Sequence, residues 1–157
     1  MTYQIQPLEP QQFEHLFSLD QDELDQLGIV RMQANKTPGF PCRLSLQDAE
    51  PGDQMLLLNY CHLAEPGPYQ SAHAIFISQS GIATTEWPAP DTVPAMLMRR
   101  TLSLRAFDAK QMMIDARLCQ GAEADTQIRE LLALPECELV HIHTAIRGCY
   151  LAVAVRL

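Results

Sequence analysis

A chain of 157 residues fits one domain with a core of its own. It is 47% hydrophobic and 19% charged, ordinary for a globular protein, and 19 acidic against 11 basic residues give a formal net charge of −8. That balance opposes phosphate backbones and anionic bilayers, and no run approaches the ~20 apolar residues of a membrane span, so neither nucleic acid nor membrane is expected as a partner.

The N-terminus, MTYQIQPLEP, is polar and lacks the apolar centre of an export signal. Five cysteines, an odd number with no CxxC, then imply reduced thiols and a cytoplasmic protein. Residues 11–27 read as a pair of short helices. Phe13, Leu16 and Phe17 fall at helical spacing, Asp20 and Glu23 form a capping box, and Gly28 suits the position just past a helix end. IVRMQA (29–34) reads as a strand. Pro38, Gly39, Pro41, Pro51 and Gly52 then confine the chain to turns around a short extended piece. QMLLLNYCHL (54–63) is a strand apolar enough for burial on both faces, and AHAIFISQS (72–80) is another, ended by Gly81. Pro88, Pro90 and Pro94 mark a surface connection near 84–94 between two halves of a single domain spanning 1–157, and Pro94 opens a short helix through Arg100.

The second half has clearer alternation. TLSLRAF and QMMIDARLC flank DAK as a hairpin. With Leu104 opposite Ile114, the residues Leu102, Leu104, Ala106, Met112, Ile114, Ala116 and Leu118 share one face, and Ser103, Arg105, Met113, Asp115 and Arg117 share the other. AEADTQIRELLAL (122–134) is an amphipathic helix that stops before Pro135. Residues 138–144 and 149–155 form a second hairpin around Ala145-Ile146-Arg147-Gly148. Aligning Thr144 with Cys149 puts Val140, Ile142, Leu151, Val153 and Val155 on a buried face, and His141, His143, Tyr150, Ala152 and Ala154 on the other. The two histidines then point the same way, about 7 Å apart, with small neighbours across the strand that leave room above them. If both hairpins join one sheet with apolar faces aligned, the polar face gathers Ser103, Arg105, Asp115, Arg117, His141, His143 and Tyr150. The expected fold is α+β: a mixed, mainly antiparallel sheet, an N-terminal helical pair, and one helix packed on one sheet face.

The segments PGFPCRLSLQDAEPGD, LLLNYCHL, PYQSAHAIFI, LSLRAFDAKQMMIDA and HIHTAIRGCYLAVAV resemble an uncharacterised bacterial family, a domain of unknown function (number 1203). The resemblance runs over nearly the whole chain and brings no activity with it. It points to Arg43, His62, Tyr69, Ser71, His73, Arg105, Asp115, His141, His143 and Tyr150. Gln70 departs from the pattern where an arginine is expected, and Thr144 where an asparagine is expected. If that arginine binds an anion in relatives, this chain binds it less well.

Three functions fit these residues. The leading one is a pocket for a small polar or anionic ligand lined by Arg43, His73, Arg105, Asp115, His141, His143 and Tyr150, with Arg105 as anion anchor and Asp115 as its orienter or a general base. The second is a divalent-metal-dependent enzyme, with His141 and His143 as ligands and a further ligand drawn from His62, His73 or Asp115. The third is a non-catalytic interaction module whose loops carry the contacts. Structural alternatives stand beside each. Arg43 can pair with Asp48 or Glu50, Arg105 with Asp115, and His141 or His143 can pack under a loop. Ser71 and His73 lack a nucleophile elbow, Cys61 and His62 point to opposite faces of a strand, and no GxGxxG or phosphate-binding loop occurs. On the leading reading His141 and His143 face a partly open pocket with Arg105 or His73 in reach, and titrate near pH ~6.5.

Overall fold

The computed structural model describes residues 1–84 and 86–157. Thr85, inside the expected connection near 84–94, lies outside the described residues. Strand β1 is Tyr3–Gln6. The expected helical pair consists of two 3-10 turns, Pro10–Gln12 and Glu14–Ser18, followed by helix α1 (Gln21–Gln26). The Asp20/Glu23 capping box closes both ways at the start of α1, and Gly28 adopts φ 69° just beyond it.

Strands β2 (Val30–Gln33), β3 (Gln54–Leu63) and β4 (Ser71–Ser78) form an antiparallel sheet in the order β2-β3-β4. The apolar run of β3 is covered on both sides only at its start. Leu56 and Leu58 enter one cluster, Met55 enters another with Ala34 and Ala49, and Asn59 and Cys61 are exposed. Beyond β4 the chain turns at Ser78, whose hydroxyl accepts from Gly81 N at 2.9 Å and opens the short helix α2 (Gln79–Ile82). Gly81 therefore lies within a helical turn and does not end the strand. Helix α3 (Ala95–Met98) follows Pro94 as the ring predicts.

Strands β5 (Thr101–Phe107) and β6 (Met113–Gln120), helix α4 (Ala124–Leu132), and strands β7 (Leu139–Thr144) and β8 (Tyr150–Arg156) complete the chain. The two hairpins do join one sheet, in the order β1-β8-β7-β5-β6. Its ladders are all antiparallel, and the isolated parallel bridge from Cys42 reaches Phe76 in β4 of the smaller sheet. Helix α4 covers one face. Ile128, Leu131 and Leu132 pack there on Leu102, Leu104, Val140, Ile142, Ala152 and Ala154. Against the other face lies the smaller sheet, where Leu56, Leu58, Ile75 and Ile77 share a core with Tyr150 and the N-terminal Phe13, Leu16 and Leu24.

Two expected registers are corrected. In the first hairpin Leu104 lies opposite Arg117, not Ile114. The turn is longer than DAK because the Asp108 carboxylate accepts from Lys110 N at 2.9 Å and Met112 N at 2.8 Å, and Gln111 turns with φ 59°. The slip of three residues exchanges the faces of β6. Asp115 and Arg117 now lie on the α4 side, where Arg117 donates to Gln127 Oε1 at 3.0 Å and to Glu130, and Leu118 is 72% exposed. In the second hairpin His143 does face Tyr150, but a bulge follows, so Ile142 faces Ala152 and His141 faces Val153. The extra residue turns Ala152 and Ala154 into the core under α4, and the space they were expected to leave above the histidines is absent.

Candidate functional site

The sheet face turned away from α4 carries the chemistry. Pairing of β5 with β7 sets Arg105 directly opposite His141 and Ser103 opposite His143. The smaller sheet delivers two more imidazoles from above. His73 stands opposite Tyr60 on the face that β4 shares with Ile75 and Ile77, and His62 sits in the bulge between Cys61 and Leu63. Alternation along β3 brings His62 to the same side as Leu56 and Leu58.

The four rings touch. His62 Nδ1 lies 3.1 Å from His141 Nδ1, and His62 Nε2 lies 2.7 Å from His73 Nδ1 and 3.2 Å from Ser71 Oγ. One nitrogen of each imidazole pair must donate, so the three rings form a hydrogen-bonded chain from buried His141 to half-buried His73. His62 also stacks on Tyr150, with ring centres 5.0 Å apart and planes within 10°. His143 meets His62, His73 and Tyr150 edge-on. Its Nδ1 donates to the carbonyl of Gly148 at 2.8 Å, and Gly148 reaches that position with φ 72°. This bond sets the tautomer and leaves the lone pair on Nε2. His143 is fully buried, and Nε2 has no hydrogen-bond partner among the described residues. The ligand atoms of His62, His141 and His143 lie within 4.8 Å of one another.

Burial sets the charge state. Desolvation, with smaller contributions from neighbouring imidazoles and Arg105, lowers His62 to about 4, His141 to about 3 and His143 to about 2. His73 is lowered chiefly by desolvation and then by Arg105 and Arg43. The rings are neutral at pH 7, which corrects the expected titration near pH ~6.5, and His141 and His143 are covered by rings instead of facing an open pocket.

The opening is displaced to one side. A cavity of about 200 Å³ is lined by His62, Tyr69, Gln70, Ser71, Arg105 and Phe107 among others. Phe107, whose ring centre lies 5.2 Å from that of His141, was not among the expected site residues, although alternation along β5 puts it on the face of Arg105 and the paired strand β7 brings His141 beside it. Tyr150 is buried, and desolvation raises its phenol. Arg43 is buried too and meets neither Asp48 nor Glu50. Its Nε donates to the Tyr150 carbonyl at 2.8 Å and its Nη1 to the Pro41 carbonyl at 2.6 Å, while Asp48 pairs with Arg100 and Arg99. Arg43 therefore anchors the start of β8 beneath the cluster, and desolvation lowers it to about 10. Asp115, on the opposite face, pairs loosely with Arg117 at 3.7 Å and does not reach the cluster.

Fold and site together define an α+β protein of two antiparallel sheets with a buried histidine cluster between them. The chain belongs to the family described as "Protein of unknown function (DUF1203)", whose model matches residues 39–156. All four clustered histidines, Arg105 and Tyr150 fall within that span; β1, α1 and β2 precede it. No curated protein and no solved structure resembles the chain closely enough to count as a match. No helix among the described residues is long and apolar enough to cross a membrane.

Proposed function

We propose that the protein holds a divalent transition metal on His62, His141 and His143 and uses it to bind or act on a small polar molecule entering from the adjacent cavity. The observation that carries this reading is His143 Nε2, a buried lone pair with no partner among the described residues, on a ring whose centre lies 4.9 Å from that of His62 and 6.0 Å from that of His141. A buried polar atom left unpaired costs on the order of 1–3 kcal/mol, and coordination would remove that cost. The 3.1 Å between His62 Nδ1 and His141 Nδ1 is near the about 3.3 Å separating two nitrogens on a tetrahedral ion with ~2.0–2.1 Å bonds. The second ligand shell fits as well. His143 is oriented by the Gly148 carbonyl, and His62 by His73 and Ser71. Neutral imidazoles coordinate without net release of a proton, the one shared between His62 Nδ1 and His141 Nδ1 moving to an Nε2, and three nitrogens suit zinc, copper, nickel or iron while leaving a position for a ligand.

The test is metal analysis of protein purified without a histidine tag, followed by calorimetric titration with Zn²⁺ and Co²⁺. We expect one ion per chain, visible absorption from bound Co²⁺, and loss of binding in His143→Ala and His62→Ala. Circular dichroism of both variants checks folding, and His143→Gln, closer in volume, serves if the alanine variant does not fold. A wild type that takes up neither ion, or folded variants that bind as tightly as the wild type, would overturn the proposal.

A further inference from the structure

We infer that the cavity beside His62 receives a small oxyanion, a carboxylate or phosphate group, with Arg105 as its anchor; the inference deepens the metal reading above and names the ligand class of that site. Arg105 lines the cavity, and its guanidinium is poorly used. Of its five N–H donors, the described residues engage Nε alone, with Ser103 Oγ at 3.3 Å. No carboxylate pairs with it among the described residues, although the chain carries 19 acids against 11 bases. Asp115, which the alternation of β6 first places beside it, lies on the other face of the sheet.

The cavity wall offers nothing negative to replace it. Its lining consists of His62, Leu63, Pro68, Tyr69, Gln70, Ser71, Arg105, Phe107 and Met113, with no Asp or Glu. A divalent ion on three neutral imidazoles would add two further charges to a partly desolvated site. Unpaired charge in such surroundings is costly, and a bound anion offsets part of it. The planar fork of an arginine matches the paired oxygens of a carboxylate or phosphate. A cavity of about 200 Å³ is large enough to seat a carboxylate or phosphate group.

The experiment titrates full-length, zinc-loaded and desalted protein with inorganic phosphate and, separately, with malonate. We expect saturable binding of at least one probe at one site, weakened tenfold or more in Arg105→Gln, while that variant still takes up one zinc ion. Arg105→Lys, which keeps the charge but loses the fork, should fall between the two and serves alone if the glutamine variant does not fold. Arg117→Gln, on the opposite face, should bind as the wild type does. Whichever probe binds more tightly identifies the oxyanion. Failure of both probes to bind, or equal affinity in the folded Arg105 variants, would overturn the inference. Binding of an anion by protein that takes up no zinc would sink the metal reading and leave this one standing; zinc uptake without anion binding would do the reverse.

Discussion

At the scale of the residue, the cluster depends on imidazoles that burial keeps neutral and on an arginine that no acid among the described residues neutralises. His143 combines an anchored Nδ1 with an unpartnered Nε2, and the two nitrogens of one ring thus do different work. Arg43 is the structural counterpart of Arg105. Both were candidates for a carboxylate, but Arg43 spends its donors on backbone carbonyls that shape the start of β8. Directly beneath the histidines, Ile142 is fully buried against α4. Ile142→Ala is expected to cost roughly 2–5 kcal/mol, read from urea unfolding of metal-free protein. A cost near zero would contradict the packing of β7 on α4.

At the scale of the element, bulges decide which side chains meet. One lies between Cys61 and Leu63, one between Ala106 and Phe107, and one between Ile142 and His143. All three border the histidine cluster, where an extra residue re-aims a side chain that strict alternation would send elsewhere. His62 keeps the face that alternation along β3 gives it, and the inward turn of Ala152 is owed to the third. The junction between β6 and α4 is tight for a different reason. A Cβ on Gly121 would stand 2.1 Å from the Leu97 carbonyl oxygen and 2.6 Å from Met98 backbone atoms. Backbone cannot swing aside as a side chain can, so Gly121→Ala should destabilise by about 1–3 kcal/mol or more. Thermal unfolding of the variant at the wild-type Tm would show that the junction yields.

At the scale of the whole molecule, burying the cluster between two sheets makes stability depend on pH. His62, His141 and His143 have folded values of about 4, 3 and 2, below the ~6.5 of an unfolded histidine. The unfolded chain therefore binds more protons over that interval. The contribution to stability is complete above pH ~6.5 and declines as pH falls from there towards the folded values. Metal-free protein should show a falling urea midpoint between pH 7.5 and 5, a range above the ~3.9 and ~4.3 at which free carboxylates titrate. A flat midpoint over that range would contradict a neutral buried cluster.

Local periodicity was enough to determine the α+β class, the strand at 54–63, a strand read over 72–80 that runs from 71 to 78, the capped helix after Asp20 and an amphipathic helix read over 122–134 that runs from 124 to 132. Those features depend on the 3.6 and 2.0 repeats and on turn chemistry, which are written along the chain. It also placed His141, His143, Arg105 and Tyr150 on a common face, because aligning the apolar faces of the two hairpins puts Arg105 on the side of His141, and the register between β7 and β8 departs from the expected one only at the bulge. It misplaced Asp115, because a five-residue turn organised by Asp108 replaced a three-residue one. The openness of the site, the meeting of His62 and His73 with the HxH strand, and the lack of an acid partner for Arg105 among the described residues were settled only by tertiary structure. Each depends on how two sheets face one another across about 10 Å, a distance over which side chains far apart in sequence meet and local periodicity is silent.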